Sequence, residues 1–281
     1  MGKVASTVYV LDLDCTIIGT VLGPSYQYHV AAKAEELGIL EDGRAFIRPW
    51  IVDGIKAIIR PHFIDFYTHV KKQGAHAFIY TSSATEWANY VIDIIEEIIG
   101  LTFERPLFTR NNVSVIDQAI GPQAQAQPII KSIANVLSDI EKSLGRKVAV
   151  EDIVIIDDDS TVWSNEEKKR YTFVHCPRYN YGSFVDPFEG FYPNVRKHPE
   201  IARMYPNYYN PGGDARERYQ WCINTCAFYA REFEWLKNDE FWLRFRMCGP
   251  KGCNNEVAVN GHQPTRARVG RTPHHPAQSR S

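Results

Sequence analysis

The sequence lacks long apolar runs, a marked excess of one charge and a dense set of cysteines. Apolar runs such as DIVII and AFIY are far shorter than the roughly twenty residues needed to cross a bilayer, and no charged-then-apolar leader follows Met1. The formal net charge of -1 provides no overall basic excess for holding nucleic acid. Six cysteines in 281 residues are too sparse for a disulfide framework. We therefore expect a soluble, intracellular protein, nuclear or cytoplasmic, that contacts no membrane and does not bind nucleic acid directly.

Short β-branched or aromatic runs alternate with longer segments of helical period in the first half of the chain. Four runs indicate strands: TVYVLDL, HAFIYT, DIVIID and YTFVHC. Apolar residues at helical spacing precede Gly74 and Gly100, which we expect to end two helices. A third helix is predicted to begin near Pro128 and to carry Lys131. This alternation is typical of βαβ units, so we predict a Rossmann-like α/β core with a mainly parallel sheet.

The composition changes beyond about residue 178. The stretch PRYNYGSFVDPFEGFYPN is rich in aromatic residues, proline and asparagine, and the later stretch DARERYQWCINTCAFYAREFEWLKNDEFW predicts one long helix. The last 28 residues contain almost no large apolar side chains, which is typical of a disordered tail. We predict a core domain over residues 1–178, an aromatic-rich helical extension over 179–253 and a disordered tail over 254–281.

Cysteines in the extension raise the question of a zinc site. Cys222 and Cys226 lie one helical turn apart, and Cys248 and Cys253 bracket the sequence GPKG. Structural zinc sites usually have tighter cysteine pairs, and the first pair falls in an aromatic helical stripe. Buried core cysteines are therefore favoured, with zinc as the alternative.

Two groups of aspartates follow predicted strands. Asp12 and Asp14 lie at the end of the first strand, and a second cluster, Asp157, Asp158 and Asp159, lies at the strand end in IVIIDDDS. In an open parallel sheet, ligands gather beyond the carboxyl ends of the strands. If the two strands are neighbours, the carboxylates would repel one another unless a hard cation such as Mg²⁺ lay among them. A solvated strand end and a polar loop are the less favoured interpretations, and Asp159 is expected to be solvated.

This pattern fits phosphoryl transfer. A carboxylate held against Mg²⁺ can attack phosphorus, and a second carboxylate two residues on can serve as acid and base. Asp14 could give its backbone carbonyl to the metal and its side chain to the leaving oxygen. Thr81, in the helix-opening TSSATE, offers a hydroxyl near free amides, and Lys131 offers a balancing cation. The plainer alternatives are a helix cap for Thr81 and an ordinary surface lysine for Lys131.

Four blocks of sequence carry a family resemblance: DLDCT, IIRPHFIDFYTHV, IYTSSATEWANYVIDII and IVIIDDDSTVW. Together they resemble the haloacid dehalogenase superfamily. Within it they resemble the FCP/SCP-type, or NLI-interacting-factor-like, protein phosphatases that act on the tail of RNA polymerase II. The blocks occur in the family's order over roughly residues 6 to 178.

The resemblance implies a Mg²⁺-dependent phosphatase acting on phosphoserine or phosphothreonine in a phosphoprotein or phosphopeptide, through an aspartyl-phosphate intermediate. It implies that Asp12 is the nucleophile and Asp14 the general acid and base. The implied metal ligands are Asp12, Asp14, Asp157 and Asp158. The implied phosphate or substrate contacts are Thr16, Thr81, Ser82, Lys131 and Arg110.

Substrate selection stays open at this point. We expect no large folded insert between the blocks, which would leave the site open to a bulky phosphopeptide, and residues 20–55 are a candidate flap. The alternatives are a phosphatase of nucleic-acid ends or small metabolites, and a catalytically silent interaction module with the same fold.

Overall fold

The computed structural model describes residues 6–115, 129–182, 198–204 and 215–253. In these parts of the chain the strands are β1 (Val8–Leu11), β2 (His76–Ile79), β3 (Ser114–Val115), β4 (Ile129–Ile130), β5 (Ile153–Asp157) and β6 (Thr172–His175). Four of them form an all-parallel sheet in the order β2-β1-β5-β6, while β3 and β4 pair with each other antiparallel. The four predicted strands are those of the parallel sheet, so the predicted α/β fold class is confirmed.

Helices cover the sheet and extend beyond it. They are α1 (Leu22–Glu36), α2 (Gly43–Ile58), α3 (Phe63–Lys72), α4 (Thr85–Ile99), α5 (Leu137–Leu144), α6 (Asn165–Arg170), α7 (Pro199–Met204), α8 (Ala215–Glu232) and α9 (Phe241–Cys253). Short 3-10 helices span Arg110–Asn112, Ile133–Asn135, Val150–Asp152, Ser160–Val162 and Glu234–Asn238. As predicted, α3 and α4 end just before Gly74 and Gly100, which adopt the left-handed conformation that glycine tolerates.

Each face of the sheet supports a hydrophobic cluster of its own. Leu11 and Ile156 belong to the larger cluster, whereas their chain neighbours Val10 and Ile155 belong to the smaller one. Successive strand residues point to opposite faces, so the two clusters lie on opposite sides of the sheet. Burial on both faces explains the nearly continuous apolar runs of these strands.

The prediction of a helix that begins near Pro128 is wrong for the residues that the structure describes. Ile129–Ile130 forms β4, and Lys131 makes an isolated bridge with Trp163, so this segment is extended. The helix α5 begins only at Leu137. Apolar residues here fit a helical period, but pairing with β3 determines the local conformation. Pro128 itself lies outside the described residues.

Residues 20–55 form a folded insert, contrary to the expectation that none separates the motif blocks. They include α1 and most of α2, which pack against each other. Val30 and Ala31 of α1 and Ile47 and Ile51 of α2 are buried in the larger cluster. These helices therefore belong to the core, and the interpretation as a simple flap is wrong.

The C-terminal extension is helical, as predicted, but its long helix is interrupted. The helix α8 ends at Glu232, a 3-10 helix follows, and α9 begins at Phe241. Asp239 has an extended backbone, and its Oδ1 accepts a hydrogen bond from the backbone N of Phe241 at 3.0 Å. A carboxylate that accepts from a free backbone N–H in the first turn stabilises the start of a helix.

The cysteine prediction is confirmed at one of the described positions. Cys226 lies in the larger hydrophobic cluster, whereas Cys248 is exposed and does not belong to the core. The side chains of Cys222 and Cys253 lie outside the described part of the structure, as does the predicted tail over 254–281. Across the described segments, no helix is both long and apolar enough to span a membrane.

Candidate active site

The two groups of aspartates come together because their strands are neighbours. Asp12 directly follows β1, and its backbone N donates to the carbonyl of Ile156 at 2.9 Å, which continues the pairing of β1 with β5. Asp157 is the last residue of β5. The carboxyl ends of parallel strands meet at one edge of a sheet, where ligands gather. The condition on which the predicted convergence depended is therefore met.

The backbone turns sharply after Asp14. Cys15 has a φ of 61°, in the left-handed region that residues with side chains rarely adopt. The backbone N atoms of Ile17 and Ile18 both donate to the carbonyl of Leu13, at 2.9 and 3.1 Å. This turn carries Asp14 away from the line of β1 and toward the loop that follows β2.

Asp14 is held by that loop. Its Oδ2 accepts hydrogen bonds from Ser83 Oγ at 2.7 Å and from Thr81 Oγ1 at 3.4 Å. Burial raises the pKa of Asp14, although the hydrogen bond from Ser83 and the charge of Lys131 oppose this rise. A carboxyl group with a raised pKa keeps its proton to higher pH, as a general acid requires. Asp14 Oδ1 is buried and has no hydrogen-bond partner within the described segments.

Lys131 supplies a positive charge within the aspartate group. Its Nζ lies 2.6 Å from Asp12 Oδ1 and 2.8 Å from Asp157 Oδ2, and all three residues are buried. Burial disfavours the charged ammonium, but the two carboxylates outweigh this effect and raise the pKa of Lys131. Lys131 therefore stays cationic, and the sequence alternative of an ordinary surface lysine is wrong.

Two aromatic rings flank Lys131. Its Nζ lies 5.8 Å from the ring centroid of Tyr80 and 6.0 Å from that of Trp163, within the range in which a ring face attracts a cation. Trp163 Nε1 also donates to Asp157 Oδ2 at 2.8 Å. The extended segment after β4 places Lys131 here, because its backbone N donates to the carbonyl of Val162 at 2.7 Å.

Asp12, Asp157 and Asp158 form a group of potential metal ligands in the described part of the chain. Each offers one carboxylate oxygen, and these oxygens lie within 4.8 Å of one another. Burial and repulsion from Asp157 raise the pKa of Asp158 to about 6. Burial likewise raises the pKa of Asp12 despite Lys131. A cation bound among these carboxylates would stabilise their ionised forms and so offset the effects of burial and repulsion.

This oxygen-only donor set suits Mg²⁺ better than Zn²⁺, so the residues present fit a magnesium ion. The Asp14 side chain is not part of the group. Its predicted ligand role through the backbone carbonyl stays a prediction, as do the ligand roles of the other three aspartates.

The amino-acid sequence matches the model of one protein family. The sequence model of the NLI interacting factor-like phosphatases matches residues 7–186, well over half of the chain. This chain belongs to the NLI interacting factor-like phosphatase family. The resemblance seen in the motif blocks is thereby confirmed. Membership of a phosphatase family indicates a phosphoric monoester hydrolase with a phosphorylated substrate.

Solved structures are similar to this family member only at low sequence identity. A phosphoserine phosphatase, solved as a phospho-aspartyl intermediate analogue, is 13% identical, with 62% of this chain and 94% of that chain covered and a TM-score of 0.32. A HAD family hydrolase from Salmonella enterica subsp. enterica serovar Typhi is 12% identical, with 62% and 68% covered and a TM-score of 0.31. Similarities of this size carry no argument about function. No curated protein matches the chain.

Thr16 of this NLI interacting factor-like phosphatase is fully buried. Its hydroxyl donates to Asp158 Oδ1 at 3.3 Å and accepts from the backbone N of Asp158 at 3.1 Å. This arrangement holds Asp158 in place, and it does not favour the predicted contact between Thr16 and phosphate.

Ser82 and Arg110 lie at the outer side of the same site. Arg110 is exposed, and its Nε donates to the backbone carbonyl of Ser82 at 2.9 Å. The backbone N of Arg110 donates to the carbonyl of Ser83 at 3.0 Å, so the guanidinium lies beside the loop after β2. The substrate-binding roles of Ser82 and Arg110 stay predictions.

Three residues that contact the aspartates had no predicted role: Ser83, Trp163 and Arg178. Arg178 Nε lies 3.1 Å from Asp158 Oδ2, although 62% of the Arg178 side chain is exposed. TSSATE contains two adjacent serines, and only the turn conformation determines which one reaches Asp14. The tryptophan in DDDSTVW was visible as part of a motif, whereas no sequence signal distinguishes Arg178.

Proposed function

We propose that this protein is a Mg²⁺-dependent phosphoprotein phosphatase that hydrolyses phosphoserine or phosphothreonine esters through an aspartyl-phosphate intermediate. A peptide like the tail of RNA polymerase II is the first substrate to test. One observation carries the proposal: the buried Asp12 carboxylate is held by Lys131 beside Asp157, at the sheet edge where Asp14 also lies. Family membership supports it independently.

The first step transfers the phosphoryl group to Asp12. A carboxylate oxygen of Asp12 forms a bond to phosphorus as the bond between phosphorus and the serine or threonine oxygen breaks. Asp14 gives its proton to that leaving oxygen, a role that its raised pKa supports. Lys131 offsets the negative charge that gathers on the phosphoryl oxygens.

The second step releases phosphate. Asp14, now ionised, takes a proton from a water molecule as that water attacks phosphorus. The bond between phosphorus and Asp12 breaks, which returns Asp12 to its carboxylate form. Asp12, Asp157 and Asp158 would hold Mg²⁺, whose charge favours both steps by neutralising phosphoryl oxygens.

The test is hydrolysis of a generic aryl phosphate at mildly acidic pH, with and without Mg²⁺. The unmodified protein is compared with Asp12→Asn and with Asp65→Asn, which alters an exposed aspartate on α3. We expect activity that requires Mg²⁺, disappears in Asp12→Asn and is unchanged in Asp65→Asn. Activity that survives Asp12→Asn would contradict the assignment of the nucleophile.

Substrate class is tested separately with phosphoserine and phosphothreonine peptides, 3'-phosphorylated oligonucleotides and sugar phosphates. Faster turnover of the peptides supports a protein phosphatase, and preference for either of the other groups assigns the site to nucleic-acid ends or metabolites. Binding of Mg²⁺ with no turnover of any substrate would instead indicate a catalytically silent interaction module.

A further inference from the structure

Arg60 carries a positive charge buried in the core. It lies two residues after α2, in the IIRPH stretch, and its side chain is 0% exposed. A guanidinium does not lose its proton in proteins, so a buried one requires a carboxylate and hydrogen bonds. The two chemical steps proposed above give Arg60 no role.

The partner of Arg60 comes from the C-terminal extension. Arg60 Nε and Nη2 lie 2.8 and 3.0 Å from Oδ1 and Oδ2 of Asp239, a paired geometry that is among the stronger hydrogen-bonded contacts. The rings of Tyr179 and Phe241 lie 5.4 and 4.7 Å from the guanidinium carbon. Asp239 lies beyond the residues matched by the family model, so the family match does not account for this contact.

The opposite side of Arg60 contacts the loop that follows the β1 aspartates. The backbone N of Arg60 donates to the carbonyl of Ile17 at 2.9 Å. Arg60 Nη1 makes a longer hydrogen bond, 3.5 Å, to the carbonyl of Thr16. The Thr16 hydroxyl is in turn bonded to the backbone N and Oδ1 of Asp158. A continuous series of contacts therefore joins Asp239 to the candidate metal group.

We propose that Asp239 is a positioning residue for the candidate active site and acts by holding Arg60 against the loop that contains Thr16. This inference rests on the proposed function, because it treats Asp158 as part of a Mg²⁺ site. A guanidinium deprived of its carboxylate would move toward water, since a buried unpaired charge is strongly unfavourable. The Thr16 loop would lose the hydrogen bond from Arg60 Nη1 and the packing of the guanidinium beside it, while its backbone hydrogen bonds stay. The orientation of Thr16 and of Asp158, which Thr16 contacts, would then be less well defined.

The experiment compares Asp239→Asn with Glu240→Gln in the full chain. Glu240 is the adjacent carboxylate; its side chain is 52% exposed and pairs with Arg244 at the surface, so it controls for the loss of one charge. We expect Asp239→Asn to bind Mg²⁺ about tenfold more weakly by isothermal titration calorimetry, the low end for residues that support metal ligands. We also expect kcat for an aryl phosphate to fall more than KM changes. Asp239→Glu should restore part of the Mg²⁺ affinity, and Glu240→Gln should change neither quantity.

A second variant covers the case in which Asp239→Asn does not fold. Arg60→Met combined with Asp239→Leu removes both charges and leaves no buried charge unpaired. We expect this double variant to fold, as judged by circular dichroism, and to show the same loss of Mg²⁺ affinity.

Mg²⁺ affinity and kcat within about twofold of the unmodified values in either folded variant would overturn the inference, since supporting residues have larger effects. Failure of both variants to fold would also overturn it, by assigning the pair to stability alone. A different result identifies failure of the proposed function: the unmodified protein would then neither bind Mg²⁺ nor hydrolyse the aryl phosphate.

Discussion

At the level of single residues, the indole of Trp163 helps to orient the carboxylate of Asp157, which Lys131 and a backbone N–H also contact. Trp163 Nε1 donates to Asp157 Oδ2, which also accepts from Lys131, while Asp157 Oδ1 accepts from the backbone N of Asp159 at 2.8 Å. These contacts fix the carboxylate plane before any ligand arrives, which is the preorganisation that metal and phosphate sites need. The Trp163 ring packs in the smaller hydrophobic cluster. Substitution by phenylalanine would keep an aromatic ring in that cluster and remove only the hydrogen bond to Asp157.

Trp163→Phe is therefore expected to reduce activity while leaving the protein folded. Losing a hydrogen bond to a buried carboxylate should cost about 1–3 kcal/mol of unfolding free energy, and misorienting Asp157 should lower kcat/KM about tenfold. Urea unfolding and aryl phosphate hydrolysis measure the two effects. Trp235→Phe is the matched control, because the Trp235 residue is 57% exposed. Equal activities in the two variants would show that the Trp163 hydrogen bond does not matter.

Ser83→Ala tests whether Asp14 acts as the general acid. The hydrogen bond from Ser83 lowers the pKa of Asp14 against the larger effect of burial, so its removal should raise that pKa further. If the first step requires protonated Asp14, the alkaline limb of kcat/KM against pH should move to higher pH. Ser82→Ala is the control for the position of the limb: loss of the predicted substrate contact would lower the rate at every pH, but Ser82 does not affect the pKa of Asp14, so the limb should not move. A limb that stays in place or moves to lower pH in Ser83→Ala would argue against Asp14 as the acid.

Residue identity alone predicted much of this arrangement. Asp12 and Asp157 could be brought together in advance because strand ends converge in a parallel sheet. Lys131 was predicted as the balancing cation, but on a helix where the structure has an extended segment. The buried contact of Thr16 with Asp158 could not, because it depends on how the chain curls beyond the strand. The choice between Ser82 and Ser83 depends in the same way on the dihedral angles of one turn.

Among the structural elements, the loop after β1 and the segment after β6 approach each other closely at Gly19. A Cβ on Gly19 would lie 1.9 Å from the carbonyl oxygen of Tyr181, and the neighbouring Thr20 donates its backbone N to that oxygen at 2.8 Å. No side chain can move aside to relieve this contact, because the obstacle is backbone. Glycine at this position is therefore required by packing.

Gly19→Ala is expected to lower the unfolding free energy by about 3 kcal/mol, the upper end for overpacked sites. Gly38→Ala is the control: Gly38 has a φ of 67°, with nothing within 4 Å of an added Cβ, so only the cost of a left-handed backbone, about 1–2 kcal/mol, applies. Denaturant unfolding of both variants measures the difference. A smaller loss in Gly19→Ala than in Gly38→Ala would contradict the close approach.

Local pattern predicted the elements whose conformation is determined locally. The strands of the parallel sheet and the ends of α3 and α4 are of this kind, since β-branched runs and terminal glycines act within a few residues. The segment Ile129–Ile130 is different, because its strand conformation comes from pairing with Ser114–Val115. The break before α9 likewise involves Asp239, whose main partner, Arg60, is distant in sequence.

In the whole molecule, the larger hydrophobic cluster is completed by side chains from the C-terminal extension. Trp242 is fully buried and stacks on Phe66 of α3, with ring centroids 4.5 Å apart. Phe245 meets Phe66 and Tyr9 edge to face at 5.4 and 6.3 Å. The partners of Trp242 and Phe245 could not be predicted from the sequence, because they lie so far away along the chain. The division at residue 178 stays a prediction.

Trp242→Ala tests whether the extension and the sheet unfold together. Removing this side chain should lower the unfolding free energy by about 3–5 kcal/mol, as large aromatic truncations in cores do. Because Trp242 belongs to the same cluster as β1 and β5 residues, far- and near-ultraviolet circular dichroism should follow one transition at a lower temperature. Trp235→Ala, at an exposed position, should leave the melting temperature unchanged. Two separate transitions, with the upper one at the unmodified temperature, would instead mean that the extension is an appendage that the sheet does not need for stability.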